Sequence, residues 1–117
     1  MTINIYDTIN QLEKELQLTD EYKKLEESHQ AVMADKEAKE IWDTFRQYQR
    51  TLQEKQRVGE EMSPEDLEKF QDLSTRMADN SLTMAFIAAE RNVHQIFLDV
   101  NRALEKPILK FYSQDNE

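Results

Sequence analysis

Apolar residues recur along the start of the chain at the spacing of an amphipathic helix. The first stripe consists of Ile5, Ile9, Leu12 and Leu16. Their intervals of four, three and four residues place them on one side of a helix that turns about 100° per residue. The pattern is then interrupted at Thr19 and Asp20, whose side chains can accept hydrogen bonds from the first turn of a new helix. We therefore expect two short helices that form one kinked arm.

The next two helical faces are also readable from the spacing of their apolar residues. The second helix presents Tyr22, Leu25, His29, Val32 and Met33, and the third presents Ala38, Ile41, Phe45, Tyr48 and Leu52. Asp35 can cap the start of the third helix. Gly59 stands where a residue in the left-handed conformation commonly ends a helix. We expect this third helix to occupy residues 36–58.

The strongest local signal is Ser63-Pro64-Glu65-Asp66, which supplies an N-cap hydroxyl, a proline at the first helical position and carboxylates in the first turn. It predicts the start of a fourth helix. Polar residues around Asn80 then separate this helix from a fifth, which we expect over residues 82–105. Pro107 is expected to end the fifth helix, because proline removes a backbone donor and disfavours helical geometry at the preceding residue.

The fifth helix has apolar residues on two sides. Its broad face, expected to be core, comprises Leu82, Phe86, Ala89, Val93, Ile96, Phe97, Val100, Ala103 and Leu104. A second stripe, on nearly the opposite side, comprises Met84, Ile87, His94 and Leu98. Single exposed apolar residues are common, but two long helices that extend beyond shorter ones leave apolar ends which a two-fold contact would cover. We therefore expect a homo-oligomer, a dimer or tetramer, in which the fifth helix participates.

Length and composition agree with this helical pattern. The chain has 117 residues, which fits a single domain spanning 1–117. One glycine and two prolines cannot supply the turns of a many-stranded protein, and strong helix formers dominate. The predicted fold class is all-α, an antiparallel helical bundle of about five segments, two of them long, at about 36–58 and 82–105.

Charge and cysteine content exclude several classes of function. The formal net charge of -9 disfavours nucleic acid and anionic membranes as partners. The absence of cysteine excludes disulfides, thiolate metal sites and iron-sulfur ligands. Neither a secretory signal nor 18 consecutive apolar residues occurs, so we expect a cytoplasmic protein that crosses no membrane. No cofactor is expected.

Two chemical alternatives remain open. Glu26 and His29 have the i, i+3 spacing that di-iron bundles use, but such a site needs the motif twice, and Glu90 with His94 has a different spacing. The second alternative is an RNA-processing-associated subunit that touches RNA through a basic helix end. That end comprises Arg46, Arg50, Lys55 and Arg57. The same cations also complement the helix dipole and can pair with the acidic fourth helix.

These observations favour a non-enzymatic protein that presents helix faces to itself and to another protein. Aromatic residues and methionine beside an acidic surface are typical interface anchors. The residues expected at a partner or oligomer interface are Trp42, Met84, Ile87, His94 and Leu98. No residue is expected to be catalytic or to bind a metal.

Short pieces along the whole chain resemble one family of helical proteins. They are Ile5-Tyr6-Asp7 with Leu12-Glu13, Glu21-Tyr22, Phe45-Arg46 with Gln49, Gln53, Gln56 and Gly59, Ala89-Glu90, Lys106-Pro107 and Phe111-Tyr112. With them the chain resembles the YlbF/YmcA-like proteins, and most closely the YheA-like branch of uncharacterised Firmicute proteins.

The resemblance implies a self-associating antiparallel bundle without enzyme activity. The better-studied branch looks like a set of regulatory adaptors in a complex that affects RNA processing, competence, sporulation and biofilm formation. Iron-sulfur clusters in that branch use cysteines, and this chain has none. Cluster binding is therefore not carried over to it.

Overall fold

The computed structural model describes residues 2–113, which form five α-helices and no strand. The helices are α1 (Ile5–Leu18), α2 (Asp20–Ala34), α3 (Lys36–Arg57), α4 (Pro64–Asp79) and α5 (Ser81–Ser113). The all-α prediction is confirmed, with two helices longer than the rest. The observed bounds of α1 to α4 lie close to those that the sequence pattern predicts, because each boundary is set by a local capping signal.

Three of the four connections consist of one residue whose side chain caps the following helix. Thr19 accepts a hydrogen bond from the backbone N–H of Tyr22, and Asp35 accepts one from that of Ala38. Asn80 accepts from the first turn of α5. All three residues have extended or near-extended backbone geometry, which breaks the helix while the side chain satisfies a free N–H group.

The connection between α3 and α4 is longer and is stabilised at both ends. Gly59 has a φ of 81°, and the backbone N–H groups of Gly59 and Glu60 donate to the carbonyl oxygens of Gln56 and Lys55. This is the hydrogen-bond pattern of a Schellman motif. At the other end, Ser63 and Asp66 form a capping box at the start of α4, with Pro64 in the first turn. Both predicted signals are confirmed.

The core lies between α2, α3, α4 and the first half of α5. One buried cluster joins Val32, Ala38 and Phe86, and a second joins Tyr48, Leu52 and Leu73. Aromatic rings connect the two clusters: Trp42 lies 4.8 Å from Phe86 and 6.3 Å from Phe45, between ring centroids. Phe45 in turn lies 5.9 Å from Phe70. The core is therefore small and is continuous across four helices.

The prediction that Pro107 ends the fifth helix is wrong. The helix continues through Pro107 to Ser113. Proline in a helix interior costs about 3 kcal/mol, partly because a carbonyl loses its N–H donor. Here that carbonyl belongs to Ala103 in a fully exposed part of α5, where water can replace the missing donor. Strong helix formers on both sides of Pro107 favour continuation of the helix.

The expectation that the broad face of α5 is core along its whole length also needs correction. Phe86, Ala89 and Val93 are buried, but Phe97 is 50% exposed and Leu104 is 59% exposed. The described helices that form the core do not cover the last part of α5, and every residue from 101 to 112 is exposed. We call residues 101–113 the α5 extension. A helix of 33 residues is about 50 Å long, which accounts for the longest dimension of the molecule, 55 Å.

Candidate functional site

An open apolar groove runs between α1 and the middle of α5. Its apolar walls are formed by Ile9, Leu12 and Leu16 of α1 and by Ile96, Phe97 and Val100 of α5. Glu13 and Glu15 lie at its α1 rim, and its volume is about 530 Å³. Among the described helices, α1 packs only against α2. The two apolar stripes therefore face the groove without closing it.

The apolar side of α5 continues beyond the groove. Along the α5 extension, Leu104, Ile108 and Phe111 follow at intervals of four and three residues, which places them on one side of the helix. All three are more than half exposed, Phe111 at 65%. They share the helical face of Phe97 and Val100. Groove and extension thus form one apolar strip that no described part of the chain covers.

The overall dimensions confirm that much surface is left open. The solvent-accessible surface is 9716 Å², whereas a compact monomer of 13.9 kDa is expected to expose about 6,700 Å². The Cα radius of gyration is 19.4 Å, compared with about 13 Å for a compact domain of this length. Despite its apolar surface, no helix in residues 2–113 is long and apolar enough to cross a membrane.

The second stripe of α5 is mostly exposed. Met84 is 41% exposed and Leu98 is 43% exposed, His94 is exposed as well, and Ile87 is half-buried. Trp42, the fifth predicted interface residue, lies on α3, half-buried in the core cluster that contains Phe86. The structure thus brings four of the five residues to one side of α5 and places Trp42 at the edge of the core.

The Glu26–His29 pair lines a small pocket of about 250 Å³ with Tyr22, Leu25, Phe86 and Glu90. The His29 ring packs on Phe86 with their centroids 5.3 Å apart. Within residues 2–113, no group of three histidine or carboxylate side chains could hold a metal ion together. In the described structure, His29 is therefore an aromatic packing residue at the edge of the core.

The basic end of α3 is largely engaged within the chain. Lys55 forms an ion pair of 2.8 Å with Asp66, and Arg57 forms one of 2.6 Å with Glu54. Arg46 and Arg50 are exposed on one face of α3. Two of the four cations in the RNA alternative thus form ion pairs with carboxylates of this chain. One of these carboxylates is on α4, in agreement with the other interpretation, in which these cations pair with the acidic fourth helix.

Asp66 is the centre of a hydrogen-bonded cluster that joins α3 to α4. Its Oδ2 accepts from Lys55 Nζ at 2.8 Å and from the backbone N–H of Ser63 at 3.1 Å. The Tyr48 hydroxyl lies 2.8 Å from the Asp66 carbonyl oxygen and 3.0 Å from Oδ1. These donors, Lys55 first, hold the pKa of the Asp66 carboxyl well below its usual value. The hydrogen bond to Asp66 also raises the pKa of Lys55, and burial raises the pKa of Tyr48.

Perturbed pKa values can mark catalytic sites, but this cluster has a structural explanation. The Asp66 side chain completes the capping box of α4 and clamps α4 against the C-terminal half of α3. The sequence placed Asp66 as a carboxylate in the first turn of α4 and allowed the basic end of α3 to pair with α4. It indicated neither the capping box nor Asp66 as the partner of Tyr48 and Lys55, which lie 18 and 11 residues away.

Solved structures confirm the architecture. A protein of unknown function (DUF964) from Bacillus stearothermophilus superposes with a TM-score of 0.85, over 92% of this chain and 95% of that one. The two sequences are 21% identical. At that identity the likeness establishes the fold alone, an all-helical arrangement of the same shape.

Sequence comparison establishes the family. The chain is 35% identical over 113 residues to a UPF0342 protein of Staphylococcus saprophyticus, covering 97% of this chain and 99% of the relative. It is 37% identical over 112 residues to a UPF0342 protein of Pediococcus pentosaceus, covering 96% and 98%. Residues 5–109 match the family model described as control of competence regulator ComK, YlbF/YmcA. The resemblance seen in the sequence is confirmed, and the chain belongs to the YlbF/YmcA family.

Proposed function

We propose that this chain, folded as a single helical domain, is a non-enzymatic cytoplasmic oligomer that acts as a protein–protein interaction or regulatory adaptor. The observation that carries the proposal is the surface: the chain exposes about 3,000 Å² more than a compact monomer of its mass. Most of the large apolar side chains that the described residues expose lie on α1 and α5. Large exposed apolar areas typically mark sites of contact with other proteins.

The family supports a regulatory role. Its description names control of a competence regulator, not a reaction. Under this proposal, the second stripe of α5 is the face for another protein. Met84 and Leu98 supply flexible apolar contact area, and His94 supplies a polar contact between them. Ile87 is the half-buried member of this stripe, and Trp42 lies apart from it, half-buried at the edge of the core.

Light scattering coupled to size exclusion, with metal analysis of the same peak, tests the oligomer. We expect a metal-free species at two or four times the chain mass of 13.9 kDa. A metal-loaded monomer would contradict both the oligomer and the non-enzymatic class, and would return attention to Glu26 and His29.

Cross-linking in cells tests the partner face. Leu98→Glu places a charge at the C-terminal end of the second stripe, whereas Gln95→Glu places the same charge on an exposed polar position of the same helix. We expect a protein that cross-links to the wild-type chain and to Gln95→Glu but not to Leu98→Glu. If Leu98→Glu leaves every cross-link in place, the second stripe is not the partner face.

A further inference from the structure

We propose that the groove between α1 and α5 receives the α5 extension of a second copy of this chain, so that two chains form a closed two-fold dimer. The inference rests on the self-association proposed above and names the surface that produces it. That surface differs from the second stripe, which lies on another side of α5.

The groove and the α5 extension match each other in their apolar character. The groove is open, apolar and lined by two helices, with a volume of about 530 Å³. The extension is a helix whose exposed apolar side consists of Leu104, Ile108 and Phe111. An apolar helix face that fits between two others buries the same kind of surface that a helical core buries. The chain thus carries both halves of one contact.

The surface that a single chain exposes is large enough for a dimer interface. Obligate homodimers bury about 2,000–5,000 Å² in total, or about 1,000–2,500 Å² per chain. The excess surface of this chain, about 3,000 Å² relative to a compact monomer, is large enough to supply that area. A short peptide in the groove would leave the extension uncovered, whereas a second copy covers the groove and the extension together.

α1 and the α5 extension carry net charges of opposite sign. α1 carries three acidic residues and one basic residue, and two of the acidic residues, Glu13 and Glu15, line the groove. The α5 extension carries three basic residues, Arg102, Lys106 and Lys110, and one acidic residue, Glu105. A chain with a net charge of -9 otherwise repels its copy. At about 100° per residue these three cations lie on the side of the extension opposite Leu104, Ile108 and Phe111, and so point away from the groove that those apolar residues enter. Their contribution is the longer-range attraction between a basic helix and the acidic α1, which reduces the repulsion between two copies.

Two-fold symmetry allows both copies to make the same contact. Each chain has one groove and one extension, and the two are different surfaces of the same molecule. In a two-fold pair, each extension occupies the other chain's groove, so both contacts form at once and the assembly closes. An open chain of subunits would leave one groove and one extension uncovered at its ends.

Disulfide cross-linking between separate chains tests the contact, because the native chain has no cysteine. One chain carries Glu13→Cys at the groove rim, and a second carries Leu104→Cys, Ile108→Cys or Phe111→Cys. The chains are mixed, equilibrated and oxidised. We expect a disulfide-linked pair between Glu13→Cys and at least one extension position. Because each chain has a single cysteine, a link between the two variants cannot form within one molecule. Met84→Cys mixed with Glu13→Cys is the control that should not link.

A matched pair of charge substitutions measures the energetic effect. Leu104→Glu introduces a carboxylate on the apolar side of the extension, and Leu98→Glu introduces it on the second stripe of the same helix. Both positions are exposed in the single chain, so far-UV circular dichroism should show both variants folded. We expect Leu104→Glu to raise the dimer dissociation constant more than about 100-fold. Leu98→Glu should change it by less than about threefold.

The outcomes separate the two proposals. A dimer that forms no link between Glu13→Cys and any extension position overturns the groove assignment and leaves the proposed oligomer in place. If Leu98→Glu dissociates the dimer and Leu104→Glu does not, the groove assignment is also overturned and the proposed oligomer stays in place. A wild-type chain that remains monomeric at high micromolar concentration overturns the groove assignment and the proposed oligomer together, and leaves the groove to a helix of another protein.

Discussion

Substitution of Phe86 and of Phe97 tests where along α5 the core of this protein ends. Both lie on the broad apolar face of α5, and sequence periodicity does not distinguish them. In the structure, Phe86 is 7% exposed and its ring packs against Trp42 and His29, whereas Phe97 is 50% exposed at the open groove. The same substitution to alanine should therefore have different effects at the two positions.

The magnitudes follow from burial. Phe86→Ala removes a buried ring and leaves a cavity, which should lower the free energy of unfolding by about 3–5 kcal/mol. Phe97→Ala removes a half-buried ring from an open groove, where no cavity forms. Its cost in the single chain should be about half of the roughly 1.5–3 kcal/mol for full burial of such a side chain, or about 1 kcal/mol.

Urea unfolding followed by circular dichroism at 222 nm measures both effects. Circular dichroism is preferable to fluorescence because Phe86 packs directly on Trp42, the single tryptophan. At low protein concentration the two variants should differ by about 2–4 kcal/mol. The cost of Phe97→Ala should then grow with protein concentration as dimers form. Equal costs for the two variants in dilute solution would refute the described extent of the core.

Three further predictions concern the connections between helices. Gly59→Ala should cost about 1 kcal/mol in urea unfolding, because φ is 81° and nothing lies within 4 Å of the added Cβ; Gly59→Asn should cost less. Thr83→Val should cost about 1–2 kcal/mol, because the buried Met77 carbonyl loses a hydrogen bond of 2.6 Å; an unchanged unfolding midpoint would contradict this. Asp66, with its lowered pKa, stabilises the fold above about pH 4. That contribution is lost as the pH falls towards its folded-state pKa, so Asp66→Asn should show a smaller loss of melting temperature between pH 7 and pH 3 than the wild type.

The helix boundaries were predictable because each depends on a few neighbouring residues. Thr19, Asp35 and Ser63 cap the helices that follow them, and the sequence indicates each by a short polar side chain before an apolar stripe. The end of α3 at Gly59 is predictable from one residue in the same way, because it depends only on the positive φ that glycine adopts there. The same local reasoning was wrong at Pro107. There the cost of proline depends on whether water reaches the Ala103 carbonyl, and that is a property of the fold.

The extent of the core was not predictable, because it depends on which helix faces which. The spacing of apolar residues correctly identified the stripes of α1 and α5. It does not indicate how much of each stripe a neighbouring helix covers. The predicted lengths did not reveal it either, because the fifth helix expected over residues 82–105 is hardly longer than the third expected over 36–58. At its observed 33 residues α5 exceeds every other described helix, so part of its apolar side extends past the helices that pack on it.

The open groove also determines how α1 is stabilised. α1 has 14 residues and none of them is buried, and isolated helices of about 12–15 residues are marginally stable in water. Its helical structure in the single chain therefore depends on the Asn4 cap, on the contact with α2 and on its own backbone hydrogen bonds. If a second copy occupies the groove as we propose, it buries Ile9 and Leu12 and by mass action stabilises the folded form of α1. The stability of α1 is then expected to rise with protein concentration, because the same apolar stripe supports the helix and the dimer.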